Sequence, residues 1–145
     1  MKRKSVRIYS FTGTGSCLAL KLAEKLKQEG YVCTGYTVAR FAEDKRLQRL
    51  NDGWKQEIGT SWGEHALVFI GAAGIAIRAI APFVKDKFTD PPVIVLDEKG
   101  TFAIPLLSGH VGGGVTLAKV LAEYTGGRVV ITTATDVQKK FAADV

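Results

Sequence analysis

The sequence predicts a three-layer α/β/α fold, Rossmann-like or flavodoxin-like, in which helices cover both faces of a mostly parallel β-sheet. Three observations support this prediction. Short apolar runs alternate with amphipathic segments, glycine-rich turns join the two kinds of segment, and no internal repeat or low-complexity linker interrupts them. With 145 residues, 46% of them hydrophobic, the chain can bury one sizeable core, so residues 1–145 are expected to form a single α/β domain.

The first strand–turn–helix unit is predicted over residues 6–30. Residues 6–11 are apolar enough for a buried strand, and the Thr-Gly-Thr-Gly run at 12–15 indicates a sharp turn. Over residues 16–28 apolar side chains recur at spacings of three and four, which is typical of an amphipathic helix. Gly30 follows at the place where such a helix should end.

The second unit is less regular. Residues 31–38 have the composition of a strand, and the charged residues at 40–50 predict an amphipathic helix. Residues 51–63 mix turn-forming residues with Trp54 and Trp62, so no element is assigned to them.

The third unit begins with the most apolar strand of the chain, residues 66–71, and continues with a helix at 73–83 that Pro82 brings to an end. A basic, polar segment follows it.

Two strands, a helix and a last strand are predicted in the remainder of the chain. The strands at 93–96 and 101–106 flank a turn at 97–100, so they form either a hairpin or two successive strands. A helix from Gly113 or Val115 to residue 124 leads to a final strand at 128–133.

Charge and cysteine content limit the classes of function. The net charge of +6 favours acidic ligands, but the basic residues form no nucleic-acid-binding motif, so no nucleic-acid partner is predicted. No apolar stretch approaches the roughly 20 residues that span a bilayer, and a cytoplasmic protein without a membrane partner is expected. Cys17 and Cys33 lack nearby cysteines or histidines, and both are expected to be buried, unreactive thiols.

Three glycine-rich segments are candidates for ligand contact, and all are expected at the carboxyl ends of strands, where parallel sheets usually bind ligands. The first segment contains Thr12, Gly13 and Thr14. Its glycines let the backbone approach a ligand, and free amides at a helix start can hold an anion. The segment resembles a flavodoxin phosphate loop, and a plain tight turn is the alternative.

The second candidate segment runs from Gly71 to Gly74 and includes Arg78, one turn inside the following helix. Arg78 could bind a carboxylate through two parallel hydrogen bonds. Alternatively, the small residues only allow close packing of strand and helix, and Arg78 is solvated.

The strongest candidate is the segment Ser108-Gly109-His110-Val111-Gly112-Gly113-Gly114. A histidine among glycines has few bulky neighbours, so its imidazole can face a ligand while nearby amides offer donors to negative charge. His110 is therefore the predicted catalytic residue, whereas His65 is expected to be structural or solvent-exposed. Thr135 and Asp136 could bind polar ligand groups or cap the next segment.

The sequence has no Walker loop, no His-Glu-x-x-His helix and no Gly-x-Ser-x-Gly elbow. Nucleotide hydrolysis, metalloprotease chemistry and serine-hydrolase chemistry therefore lack their usual motifs.

Four segments in order resemble one known family. They are Gly71-Ala72-Ala73-Gly74-Ile75-Ala76-Ile77-Arg78 with Ile80-Ala81-Pro82, Val93-Ile94-Val95-Leu96-Asp97-Glu98-Lys99-Gly100, Ser108-Gly109-His110-Val111-Gly112-Gly113, and Thr133-Ala134-Thr135-Asp136. Their order and spacing over about residues 66–145 resemble the CbiG family of cobalamin biosynthesis, the cobalt-precorrin-5A hydrolases. Residues 1–65 resemble that family only in their α/β pattern.

The resemblance implies hydrolysis of the δ-lactone of cobalt-precorrin-5A, with release of acetaldehyde, in the anaerobic route to cobalamin. The substrate carries its own cobalt, so no cofactor and no protein-bound metal are expected. The chain would be the N-terminal part of a multi-domain protein, with residues 137–145 beginning the next segment and a C-terminal domain or a second copy as partner. Where the family usually has Ala-Asn, this chain has Gly114 and Val115.

The hypothesis for catalysis gives a role to each candidate group. His110 acts as general base or as donor to the lactone, and the amides of Gly112 to Gly114 donate to an oxyanion or a carboxylate. Arg78 anchors a carboxylate, and Asp136 orients His110 or binds a polar edge of the substrate. Two other classes stay open. One is a corrinoid-binding module without catalysis, and the other is a flavodoxin-like protein that holds FMN phosphate at its Thr12 turn.

Overall fold

The computed structural model describes residues 4–43, 46–107 and 113–132. Short 3-10 turns at Ala39–Phe41 and Ala81–Phe83 add to its helices and strands. In chain order they are β1 (Ser5–Ser10), α1 (Gly13–Gln28), β2 (Val32–Thr37), β3 (Gln48–Arg49), α2 (Trp54–Thr60), β4 (Ala66–Ile70), α3 (Ala73–Ile80), β5 (Val93–Leu96), β6 (Phe102–Leu107), α4 (Gly113–Thr125) and β7 (Arg128–Val129).

The described strands form one sheet in the order β3-β2-β1-β4-β5-β6-β7. The strands from β3 to β5 are parallel, β6 is antiparallel to β5, and β7 is parallel to β6. The order 3-2-1-4-5 is that of a Rossmann-like sheet, whereas a flavodoxin-like sheet has the order 2-1-3-4-5. The predicted α/β class is therefore confirmed, in its Rossmann-like form.

Hydrophobic cores lie on both faces of the sheet. Ile8, Val68 and Ile94 pack with residues of α1 and α4 on one face, and Tyr9, Phe69 and Val95 pack with α2 and α3 on the other. Successive residues of a strand point to opposite faces, so a strand covered by helices on both faces must be apolar throughout. This explains why β4 and β5 appear in the sequence as unbroken apolar runs.

The prediction of a helix over residues 40–50 is wrong. Within this segment the structure has the end of a 3-10 turn and then β3, which pairs in parallel with Tyr36 and Thr37 of β2. The side chain of Leu47 is buried, and a Cβ added to Gly35 would lie 2.6 Å from Leu47 Cδ2. Packing over a glycine of the neighbouring strand thus overrides the local helical pattern, which is a tertiary effect.

Other predicted elements are confirmed with small shifts. The unassigned segment contains α2, the last strand is assigned only at Arg128–Val129 within the described part, and α1 begins at Gly13 instead of residue 16. Gly30 and Gly126 follow α1 and α4 with φ of 92° and 74°, a backbone conformation that glycine adopts easily. No helix in the described ranges is long and apolar enough to cross a membrane.

The hairpin of β5 and β6 determines where the glycine-rich segments lie. We call the side where β1, β2, β4 and β5 end the carboxyl edge, and the side where they begin the amino edge. Leu107, the last residue of β6, pairs with Val93, the first residue of β5, and a Cβ added to Gly113 would lie 3.7 Å from Pro92 Cγ. The start of α4 therefore lies at the amino edge, and the expectation that all candidate segments share one edge is wrong.

Candidate functional site

A cleft of about 650 Å³ lies at the carboxyl edge. It lies where residues that follow β1, β2 and β3 meet α2 and α3. The side chains that define its chemistry are Phe11, Arg49, Asn51, Trp54, Lys55 and Arg78. A crevice at the carboxyl ends of the strands, near the point where the strand order reverses, is where Rossmann-like sheets generally bind ligands.

Three cations line this carboxyl-edge cleft, Arg49, Lys55 and Arg78, against one carboxylate, Asp52. Within the described ranges no carboxylate lies at ion-pairing distance from any of the three cations. All three side chains are exposed, so their donors remain available to an anionic ligand. The cleft is therefore chemically suited to a ligand with several carboxylates.

Aromatic rings form one wall of the cleft and hold it in place. The Trp54 ring centroid lies 5.6 Å from that of Phe11 and 5.7 Å from that of Tyr9, and Tyr9 stacks on Tyr36 at 5.2 Å and on Phe69 at 5.1 Å. Burial raises the pKa of Tyr9 to about 12, so its phenol is neutral at physiological pH. A ring cluster anchored in the core presents Trp54 as a preformed flat surface.

Arg78 and Gly74 act together at this cleft. A Cβ added to Gly74 would lie 3.0 Å from Arg78 Nη1, so the guanidinium folds back along α3 over the glycine. Any larger residue at position 74 would have to displace it. The predicted binding of a carboxylate by Arg78 stays a prediction, while Gly71, with φ of 145°, lies in the turn after β4.

The Thr12 turn has contacts of its own. Thr12 caps α1, because its Oγ1 accepts from the Gly15 amide at 2.9 Å, and the same hydroxyl donates to Glu98 Oε2 at 2.8 Å. Gly13 lies against the Phe41 ring, and Thr14 is exposed. With a carboxylate already at the helix start, a bound phosphate would be repelled, and this weighs against the FMN alternative.

A second cavity, of about 250 Å³, lies at the amino edge. Gly113 lines it, whereas Gly114 is buried within α4. The polar side chains around it are those of Lys4, Ser5, Glu64, His65 and Thr116. His65 is half-buried, and its Nδ1 lies 2.6 Å from Ser5 Oγ. It is therefore hydrogen-bonded rather than simply solvated.

The predicted site residues therefore do not form one site. Gly74 and Arg78 lie at the carboxyl edge, and Gly113 lies at the amino edge. The strands between these edges have four to six residues, so the two edges are roughly 13–20 Å apart. Ser108, Gly109, His110, Gly112, Thr135 and Asp136 lie outside the described residues, so their roles stay predictions.

The sequence analysis did not identify several residues of these cavities. Arg49, Trp54 and Lys55 fall in segments that were predicted wrongly or left unassigned, although basic residues beside an aromatic residue could have indicated a ligand-binding surface there. Ser5 and His65 are 60 positions apart, so no local motif could join them.

Comparison with known proteins points to one family. The family described as "Cobalamin synthesis G N-terminal" matches residues 58–136, just over half of the chain. A cobalt-precorrin-5A hydrolase of Salmonella typhimurium is 40% identical over 154 aligned positions, which cover 99% of this chain, and one of Priestia megaterium is 47% identical over 79 residues, 54% of this chain.

A solved structure agrees with the sequence comparisons. The crystal structure of a cobalamin biosynthesis protein G homolog from Sulfolobus solfataricus superposes with a TM-score of 0.68 at 27% identity, over 88% of this chain and 36% of that one. The chain spans 40% of the length of the Salmonella relative and 21% of the Priestia relative.

Proposed function

This chain belongs to the Cobalamin synthesis G N-terminal family, and from that premise we propose that it is the N-terminal part of a cobalt-precorrin-5A hydrolase. In this proposal the carboxyl-edge cleft holds the corrinoid through its carboxylates. Cobalt arrives with the substrate, and the chain needs no cofactor of its own.

The observation that carries the proposal is the set of three cations beside an aromatic wall. Arg49, Lys55 and Arg78 can donate charge-assisted hydrogen bonds to carboxylates at the periphery of a macrocycle. Trp54 offers a flat apolar surface to a ring face. A cleft of about 650 Å³ lies in the usual size range for small-molecule sites, and the net charge of +6 attracts a polyanion.

Hydrolysis of the δ-lactone requires an activated water and donors to the oxygen that becomes negative. We keep His110 as the proposed general base, the Gly112 to Gly114 amides as the proposed donors, and Asp136 as the group that orients His110. Because Gly113 and Arg78 lie at opposite edges, carboxylate binding and the His110 role are separate proposals that require separate tests.

Binding is tested by titrating the purified chain with cobalt-precorrin-5A and following the corrinoid absorbance. Arg78→Gln and Arg49→Gln should each weaken binding by about 10- to 100-fold, since hydrogen bonds to charged groups contribute roughly 1.5–3 kcal/mol. Lys119→Gln removes an exposed charge from α4, outside both cavities, and should change the affinity less than about 2-fold. Equal losses from all three variants would show that only the net charge matters and would refute the cleft as the binding site.

Catalysis is tested in the same preparation by measuring acetaldehyde and the change in corrinoid mass. If His110→Ala lowers turnover by roughly 10²- to 10⁴-fold and leaves cobalt-precorrin-5A binding unchanged, the assignment of His110 as general base is supported. Unchanged turnover in that variant would refute it.

The second candidate function is a corrinoid-binding module that works with a separate catalytic domain. It is favoured by the share of the relatives' length that this chain spans, 40% in the Salmonella protein. Tight binding of cobalt-precorrin-5A without any acetaldehyde would select this alternative over hydrolysis by the chain itself.

A further inference from the structure

We propose that Ser5 and His65 form a nucleophile–base pair that hydrolyses small carboxylic esters or lactones in the amino-edge cavity. This activity goes beyond the proposed corrinoid function, because it uses the opposite edge of the sheet and requires none of the cleft residues. It also needs none of the motifs that the sequence lacks, since the two residues meet only through the pairing of β1 with β4.

The sheet holds the pair rigidly. Ser5 is the first residue of β1, the strand at the middle of the parallel part of the sheet, and His65 immediately precedes β4. The next residues along each strand, Val6 and Ala66, are register partners in the β1–β4 ladder. Ser5 Oγ and His65 Nδ1 consequently lie side by side at 2.6 Å, which is within the reach required of a nucleophile and its base.

The surroundings keep the imidazole in the form that accepts a proton. Burial lowers the pKa of His65 below its ordinary value of 6.5, the Arg7 charge lowers it further, and Glu64 raises it in part. Lys4 lines the cavity as a further cation. At neutral pH His65 is therefore uncharged and able to take the Ser5 proton.

The cavity offers space and donors beside the pair. Val6, Tyr31 and Leu117 provide apolar lining for an acyl group. The Lys4 ammonium and the amide of Gly113, the first residue of α4, are the proposed donors to a carbonyl oxygen, because both residues line the cavity. The volume of about 250 Å³ restricts the acyl part to a small group.

The proposed reaction proceeds in two balanced steps. Ser5 Oγ attacks the carbonyl carbon while its proton passes to His65 Nδ1, the carbon–oxygen bond of the ester breaks, and the leaving alcohol takes the proton from His65. Water then attacks the acyl-serine ester, giving one proton to His65, and the carboxylic acid leaves as Ser5 regains that proton. One ester and one water become one acid and one alcohol, without oxidation or reduction.

The test uses phenylmethylsulfonyl fluoride as a serine label and p-nitrophenyl acetate as substrate. Both are applied to the Cys17→Ala protein, because the exposed Cys17 thiol could also be acylated. We expect a single sulfonyl adduct on the peptide that contains Ser5, and its loss in Ser5→Ala. His65→Gln should slow both labelling and ester hydrolysis by roughly 10²- to 10⁴-fold, whereas Ser61→Ala, which removes a hydroxyl outside both cavities, should leave both rates unchanged.

The pH profile distinguishes a base from a structural histidine. The rate should rise with pH to a plateau, with its midpoint below 6.5, because the folded-state pKa of His65 is lowered. Absence of a Ser5 adduct, or labelling that a folded His65→Gln protein retains at full rate, would overturn the proposal. Either result would leave the corrinoid proposal intact, since that rests on binding in the carboxyl-edge cleft.

Discussion

The position of a residue on its helix or strand determines whether its side chain is available for chemistry, and the two cysteines illustrate this. Cys33 lies on β2 inside the core, as the sequence predicts, and burial raises the pKa of its thiol to about 11. The same prediction is wrong for Cys17, which is exposed. On α1 it shares the outward face with Lys21 and Glu24, four and seven residues further on, while Ala19, Leu22 and Leu26 face the sheet.

A thiol-specific colorimetric reagent at pH 8 should therefore titrate one cysteine quickly and one slowly. Cys17 should react within minutes, and Cys33 only when the protein unfolds, because the thiolate is the reactive form and burial disfavours it. In Cys17→Ser the fast phase should disappear, and in Cys33→Ser it should remain. Two fast thiols in the native protein would contradict the burial of Cys33.

Among short elements, contacts with neighbouring strands outweigh local sequence preference. Residues 40–50 carry enough charged and helix-forming residues to predict a helix, yet Leu47 packs over Gly35, and the Leu50 amide donates to Thr37 O at 2.8 Å. Glycine at position 35 is what makes room for Leu47. The existence of β3 thus depends on a contact between residues twelve positions apart, which a periodicity pattern does not contain.

Gly35→Ala should lower the free energy of unfolding by about 1–3 kcal/mol, because the added methyl overlaps Leu47 Cδ2. The measurement is urea unfolding followed by circular dichroism. In a Leu47→Ala background the same substitution should cost about 1 kcal/mol less, since the clash is gone. Gly53→Ala is the matched control, because its added Cβ would meet only Asn51 Oδ1 at an ordinary 3.6 Å and its φ is −98°. Additive effects at positions 35 and 47 would contradict the proposed overlap.

In the molecule as a whole, stability should decrease from the centre of the sheet to its margins. The strands β1, β4 and β5 have neighbours on both sides and are buried on both faces, whereas β3 and β7 are two-residue strands at opposite ends of the sheet. Few buried contacts depend on these marginal strands. They should therefore open without unfolding of the centre.

Amide hydrogen exchange measures this gradient directly. The amides of Ile8 and Val68 should exchange only through global unfolding, and those of Leu50 and Val130, which donate to Thr37 O and Ala103 O at the margins, should exchange at least about 10²-fold faster. Equal protection of Leu50 and Val68 would mean that β3 unfolds together with the central strands.

The sequence by itself determined the features that follow from local pattern and composition. Alternating apolar and amphipathic segments predicted the α/β class, the strands β1, β4 and β5, and the helices α1 and α4, because a segment buried on one or both faces must show that burial in its residues. The four ordered motifs also indicated the family.

Only the tertiary structure decided which of these segments meet. The antiparallel direction of β6 takes the start of α4 to the amino edge, away from Arg78, and the β1–β4 ladder brings Ser5 to His65. The edge strand β3 forms because the side chain of Leu47 packs over Gly35. The three cations of the neighbouring cleft lie on three separate elements. The direction of a strand and the strand with which it pairs depend on contacts between residues that are distant in the sequence. The periodicity of a segment shows only which of its own faces is buried.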